Sequence, residues 1–350
     1  MKKQLDALTS TRAIAAILVV IHHFGRTVFP FKYAPDFFHN GNLAVGYFFV
    51  LSGFVLFEVY HQQPVNYFAF LKKRMARIYP LYVVGGLLCI GVMIFDFFYS
   101  HSSIPNELPE QTAIYLLFLQ SYIPKFPLAI NGPGWSLSVE MLFYLLFIPL
   151  LTLLKKHIKT FLLFFITLFI ISQAIHIYFH YYEDTISESV ADTITFNPFI
   201  HLSQFITGML GGFIYHKTNF NFAKNKWFSL IICMIICLVI AIRPHYLSFH
   251  AGLLDPLFML LIISIAKRSP HILLSKYFVF LGNASYAIYI LQDPVHSFAI
   301  RLNNKLHLPQ FYFFYTFLFT LIIISMLAYK YFEIPLRNYI NSGNDKPLNN

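Results

Sequence analysis

Apolar residues run along this chain in long blocks, not at alternating intervals. The blocks cover approximately residues 9–29, 43–60, 79–99, 135–154, 160–180, 199–216, 228–243, 251–267, 277–298 and 311–332. They are of bilayer length or near it, and a soluble core cannot absorb so much continuous apolar sequence. The pattern predicts an all-α polytopic transmembrane bundle of ten spans. An eleventh stretch, AIYLLFLQSY at 113–122, is about half a span long. It predicts a short re-entrant or interfacial segment near 111–134.

Charge arbitrates the topology. If 113–122 does not cross and the N-terminus is cytoplasmic, 19 of the 25 Lys and Arg residues lie in inside segments and 6 in outside ones. If it crosses, the division becomes 11 to 14. The positive-inside rule selects the first arrangement, with both termini in the cytoplasm. The acidic loop EDTISESVAD at 183–192 then faces out. Lys2 and Lys3 before an apolar block resemble a signal peptide, but Arg12 interrupts that block and no small-residue cleavage site follows His23. The first span is therefore expected to remain. Trp135 and Trp227 each open a span, where indole suits the interface. The GMLGG at 208–212 allows close helix approach. Residues 1–340 read as one membrane domain and 341–350 as a polar cytoplasmic tail.

Composition narrows the function. Of 350 residues, 57% are hydrophobic and 11% charged, against roughly 25% charged in a soluble domain. The net charge of +10 would suit a nucleic acid, but the basic residues fall in short clusters between apolar blocks, so nucleic acid is excluded as a partner. Cys89, Cys233 and Cys237 all sit in apolar blocks, with no disulfide or metal spacing. No metal is expected.

The first span carries the most informative chemistry. In RAIAAILVVIHHF at 12–24, Arg12 and His23 are eleven residues apart. At about 100° per residue they share one helix face, about 16 Å apart along the axis, while His22 points about 80° away. Ionisable groups in hydrocarbon are costly unless they face a polar cavity or a partner. The pair predicts a shared cavity with a cation near the cytoplasm and an imidazole suited to proton transfer beyond mid-membrane. KKRMARIYP at 72–80 adds Arg74 and Arg77, spaced i, i+3, whose forks suit phosphate oxygens. GPGWSLSVEMLFY at 132–144 breaks the chain and then carries Glu140 into a span. That carboxylate should meet a cation, a histidine or a hydroxyl. The remaining histidines carry less: His176 and His180 lack a third ligand and read as an interfacial edge.

These stretches together resemble the acyltransferase-3 family of integral membrane O-acyltransferases. Arg12 and His23 fit its first-span pattern, FFVLSGFVLF at 48–57 its second-span signature, and Arg74 and Arg77 its RxxR. WSLSVE at 135–140, LGNASYAIYIL at 281–291 and YFEIPLR at 331–337 follow in order. The likeness covers about residues 5–340. It implies a protein of the bacterial cytoplasmic membrane that moves an acyl group, usually acetyl, from cytoplasmic acyl-CoA to a hydroxyl of a carbohydrate or lipid-linked sugar acceptor, such as lipopolysaccharide. Carried over, Arg12, Arg74 and Arg77 hold the coenzyme, His23 is the catalytic base or acyl carrier, and Glu140 contributes to catalysis. Two departures stand out. Gln292 occupies a position where many relatives have histidine, and glutamine cannot shuttle a proton. His296, one turn on, could face the same way. The soluble hydrolase-like domain that some relatives carry after the last span is not expected here, so the bundle would either complete the transfer or hand its acyl group to a separate protein. The alternative reading is a transporter or flippase for an anionic or lipid-linked sugar, which should show paired inverted halves. No such halves are evident. A non-catalytic scaffold leaves the aligned Arg12 and His23 unexplained.

Overall fold

A computed structural model describes residues 2–100, 103–182, 187–218, 223, 225, 227–242 and 249–342. The tail from residue 343 and residues 183–186 of the acidic loop lie outside the described residues. Helices make up the described chain, and no strand occurs among the described residues. Among the described residues, six helices are long and apolar enough to cross a membrane: Lys3–Gly25, Leu43–Tyr60, Tyr67–Tyr99, Gly132–Lys156, Ile158–Phe179 and Gln310–Ser342.

The other four expected spans differ from these for physical reasons. Helix Pro198–Lys217 has the length, but it carries His201, Ser203, Gln204, Thr207 and three glycines, Gly208, Gly211 and Gly212, and its side chains are mostly buried in the bundle. Helix Phe228–Ile242 has 15 residues and helix Asp255–Lys267 has 13, the latter about 20 Å long. The block 277–298 is two helices, Lys276–Asn283 and Ser285–Leu306, broken at Ala284. The second holds Asp293 and Arg301. Arg301 Nε donates to Asp96 Oδ1 at 2.8 Å and Nη2 to Oδ2, tying this helix to Tyr67–Ser100.

The centre of the bundle is the crossing of Leu43–Tyr60 with Pro198–Lys217. It is close because both helices present glycine at the contact. A Cβ on Gly53 would lie 2.0 Å from the carbonyl oxygen of Phe205, and one on Gly208 would lie 1.9 Å from that of Val50. The close approach expected of GMLGG is thus present at Gly208.

The segment after Ser100 folds back into the bundle. Its helix, Leu108–Leu116, has nine residues, far short of a span. The hydroxyls of Tyr82 and Tyr115 each donate to the other residue's carbonyl, at 2.8 and 2.9 Å. Gln120 Nε2 donates to Tyr82 Oη at 2.8 Å, and Ser138 Oγ to the Phe118 carbonyl at 2.5 Å. Further on, Asn131 Nδ2 donates to the Ile290 carbonyl at 3.0 Å and the Gly132 amide to Asp293 Oδ2 at 3.1 Å. These bonds fasten the Gly-Pro-Gly break to helix Ser285–Leu306 and set where Trp135 and Glu140 enter.

Trp135 does not behave as an interfacial anchor. It is buried and meets the rings of Phe49, Phe196 and His201. Trp227 is exposed at the start of its helix. His176 is likewise buried rather than at an edge, its Nδ1 paired with the carbonyl of Ser172 at 3.0 Å.

Candidate functional site

The arginines come together. Arg12, Arg74 and Arg77, from two helices, line one cavity with Glu140, Ser52 and Tyr144. None of the three guanidiniums has a carboxylate within 4.0 Å among the described residues. Arg74 lies over the rings of Tyr60 and Phe70, at 6.0 and 5.8 Å from their centroids. Its Nε is buried without a hydrogen-bond partner. Three half-buried forks with no carboxylate within ion-pair distance make a site for an anionic ligand with several oxygens.

Glu140 sits in that cavity, but it is not bonded to an arginine. It accepts hydrogen bonds from Ser52 Oγ at 3.2 Å and from Tyr144 Oη at 2.5 Å. Hydroxyls therefore satisfy this carboxylate, one of the three partners expected from sequence. Glu333, in the YFEIP stretch, interacts electrostatically with Arg77 and Arg12. A π turn over Tyr329–Glu333 carries it there.

His23 lies elsewhere. It lines a second cavity together with His22, Asp293, Gly132, Trp135 and His250. The shared chamber expected from the first-span stripe is thus two chambers. The reason is local: the α-helix ends at Val20 and residues Ile21–Gly25 form a π turn. Such a turn bonds i to i+5 and advances less than 100° per residue, so the straight projection from Arg12 fails beyond residue 20. His23 still lines a cavity, with its side chain exposed and not buried. The two cavities have two lining residues in common, Val45 and Tyr289. Phe48 meets the Tyr289 ring at 6.2 Å on the arginine side. Val45 and Tyr289 therefore stand where the arginine cavity and the His23 cavity meet.

Around His23 the polar contacts are few and specific. His23 Nδ1 is 3.0 Å from Gln292 Oε1, and Gln292 Nε2 donates to the Tyr289 carbonyl at 2.8 Å. His296 does not join them. It stacks on Phe24 with centroids 3.9 Å apart and abuts Phe317. Sequence reasoning passed over Asp293 and Tyr289. Asp293 carried a signal, as the one carboxylate in an otherwise apolar stretch after YAIYIL. Tyr289 carried none, being one of 23 tyrosines.

Comparison with known proteins places these motifs in context. A family model described as an acyltransferase domain matches residues 5–330. The chain is 34% identical to the acyltransferase MdmB of Streptomyces mycarofaciens, over 41% of this chain and 38% of that one. It is 24% identical to the O-acetyltransferase OatA of Staphylococcus aureus, over 96% of this chain and 57% of that one. It is 33% identical to protein 2 in the picA locus of Rhizobium radiobacter, over 38% of this chain and 75% of that one. The chain therefore spans less than two thirds of the length of the first two relatives. No solved structure gives a significant match.

Proposed function

Because this chain belongs to the acyltransferase-3 family, we propose that it is a membrane O-acyltransferase using acyl-CoA, with acetyl as the group transferred. The acceptor is a hydroxyl of a cell-surface carbohydrate or a lipid-linked sugar. The observation that carries the reading is the pair of cavities: three carboxylate-free guanidiniums in one, an imidazole in the other, with Val45 and Tyr289 between them.

The coenzyme's phosphates take the forks of Arg12, Arg74 and Arg77, leaving its thioester arm to reach the Tyr289 layer. The acceptor enters the His23 cavity past Trp135. His23 removes the proton of the acceptor hydroxyl as its oxygen attacks the thioester carbonyl. The new C–O bond forms, the C–S bond breaks, and the departing thiolate takes up a proton. Glu140 lies in the donor cavity, so its role here is to order that chamber through Ser52 and Tyr144 rather than to exchange protons with the acceptor. The same reading keeps the ten-span topology in the bacterial cytoplasmic membrane with both termini in the cytoplasm, which puts the donor cavity on the side where acyl-CoA is made. Where a separate protein finishes the transfer, it would collect the group from the His23 cavity.

The test is mass spectrometry of surface glycans from cells carrying the wild-type chain, His23→Ala, or neither. Wild type should add the mass of one acyl group to one sugar, and His23→Ala should lose it at equal protein level. A variant with full acylation would overturn the assignment of His23.

A further inference from the structure

Gln292 settles which nitrogen of His23 can work. Its Nε2 lies 2.8 Å from the carbonyl oxygen of Tyr289, one turn back on the same helix. A carbonyl only accepts, so the NH₂ end of the amide must face it and Oε1 must face away. That Oε1 lies 3.0 Å from His23 Nδ1. An amide oxygen also only accepts, so Nδ1 carries the hydrogen. Neutral imidazole has a single N–H, which leaves Nε2 with a bare lone pair. Gln292 has no exposed surface, so turning the amide over would leave two buried groups facing like partners.

We propose that Gln292 is a positioning residue, holding His23 as its Nδ1–H tautomer so that Nε2 is the atom offered to the acceptor hydroxyl. This rests on the reading of His23 as the base. It also gives a part to the position where a proton shuttle is missing: the glutamine moves no proton and fixes the nitrogen that does. The other charged and titratable groups around His23 do not compete for Nδ1. His22, on the same turn, has its ring 5.0 Å away and pairs through Nδ1 with the Phe38 carbonyl. Arg26 pairs with His39. Asp293 interacts electrostatically with His23, but its Oδ2 accepts from the Gly132 amide. His250 lines the same cavity, and His296 lies behind the ring of Phe24.

The experiment is ¹⁵N NMR of the full chain in nanodiscs with ring-labelled histidine, the His23 signals being identified by their loss in His23→Ala. Wild type should show a protonated Nδ1 and an unprotonated Nε2. Gln292→Leu should average the two tautomers and lower kcat about tenfold, with donor KM moving by about twofold or less. Gln292→His keeps an acceptor and should recover most of that loss. Gln292→Glu keeps the shape, and so the fold, while placing a carboxylate on the imidazolium. The acidic limb of the pH–rate profile should then move to higher pH by about one unit or more. An Nε2–H tautomer in the wild type, or an unshifted acidic limb in Gln292→Glu, would overturn the proposal. Full activity in His23→Ala would remove the base assignment instead, while the NMR would still judge the tautomer lock.

Discussion

Replacing Arg74 by alanine removes one of three guanidiniums from a chamber that holds them without carboxylate partners. A hydrogen bond to a charged group is worth about 1.5–3 kcal/mol, and each 1.4 kcal/mol is tenfold in affinity. Acetyl-CoA should therefore bind about 10- to 150-fold more weakly. On the proposed reading the chemistry proceeds on the His23 side of Tyr289, so the arginine contact would be the same in the ground and transition states. The loss should fall on donor KM, with kcat changed by about threefold or less. Arg74→Lys separates charge from shape. It keeps the cation but loses the planar fork over Tyr60 and Phe70, and should lie between wild type and alanine. The assay is initial-rate kinetics in proteoliposomes with acetyl-CoA varied at fixed acceptor, and acetylated coenzyme lacking a phosphate as a control for the phosphates. If Arg74→Ala lowered kcat and left donor KM unchanged, the arginine cavity would not be the donor site.

Three further outcomes follow from the geometry. Gly208→Ala places a Cβ 1.9 Å from the Val50 carbonyl oxygen, so the central helices must part. A loss of about 1–3 kcal/mol is expected, read as a lower midpoint in thermal unfolding in detergent. Glu140→Gln still accepts from Ser52 and Tyr144, so the protein should fold normally. It removes a negative charge that acts on Arg12 and would repel phosphate, so donor KM should fall by about twofold or more while kcat holds. A large drop in kcat would instead put Glu140 in the chemistry. Tyr289→Ala thins the layer between the cavities and should raise the rate with longer acyl-CoA chains relative to acetyl-CoA, measured by competition between the two donors.

Much of the site was legible because charge in hydrocarbon is expensive. Arg12, Arg74, Arg77 and Glu140 stood out against apolar blocks, and the structure gathers all four in one chamber. His23 was legible as a residue, but its place was not. The projection from Arg12 assumed an unbroken α-helix, and nothing in IHHFG announces a π turn. The wall was invisible for another reason: Tyr289 acquires meaning only through Val45 and Phe48, more than two hundred residues away in sequence. Trp135 followed the same logic in reverse. Its position at the head of a span fits a lipid interface, yet the Gly-Pro-Gly break, pinned by Asn131 and Asp293, turns it inward. Span length was read well where helices face lipid and poorly where they are enclosed. Pro198–Lys217 is shielded by its neighbours and can carry His201, Gln204 and Thr207 at little cost.

The Val45–Tyr289 layer has an electrical consequence. If the two chambers open to opposite sides of the bilayer, as the proposed function requires, little low-dielectric material lies between them, and most of the voltage across the bilayer would drop over these side chains. A unit charge crossing that drop gains about 2.3 kcal/mol per 100 mV. Moving a neutral acyl group through the layer costs nothing against the field, whereas a proton or a metal ion would run down the gradient. On the proposed reading the tyrosine would serve as insulation, and a channel wide enough for free passage of the coenzyme would short-circuit the membrane.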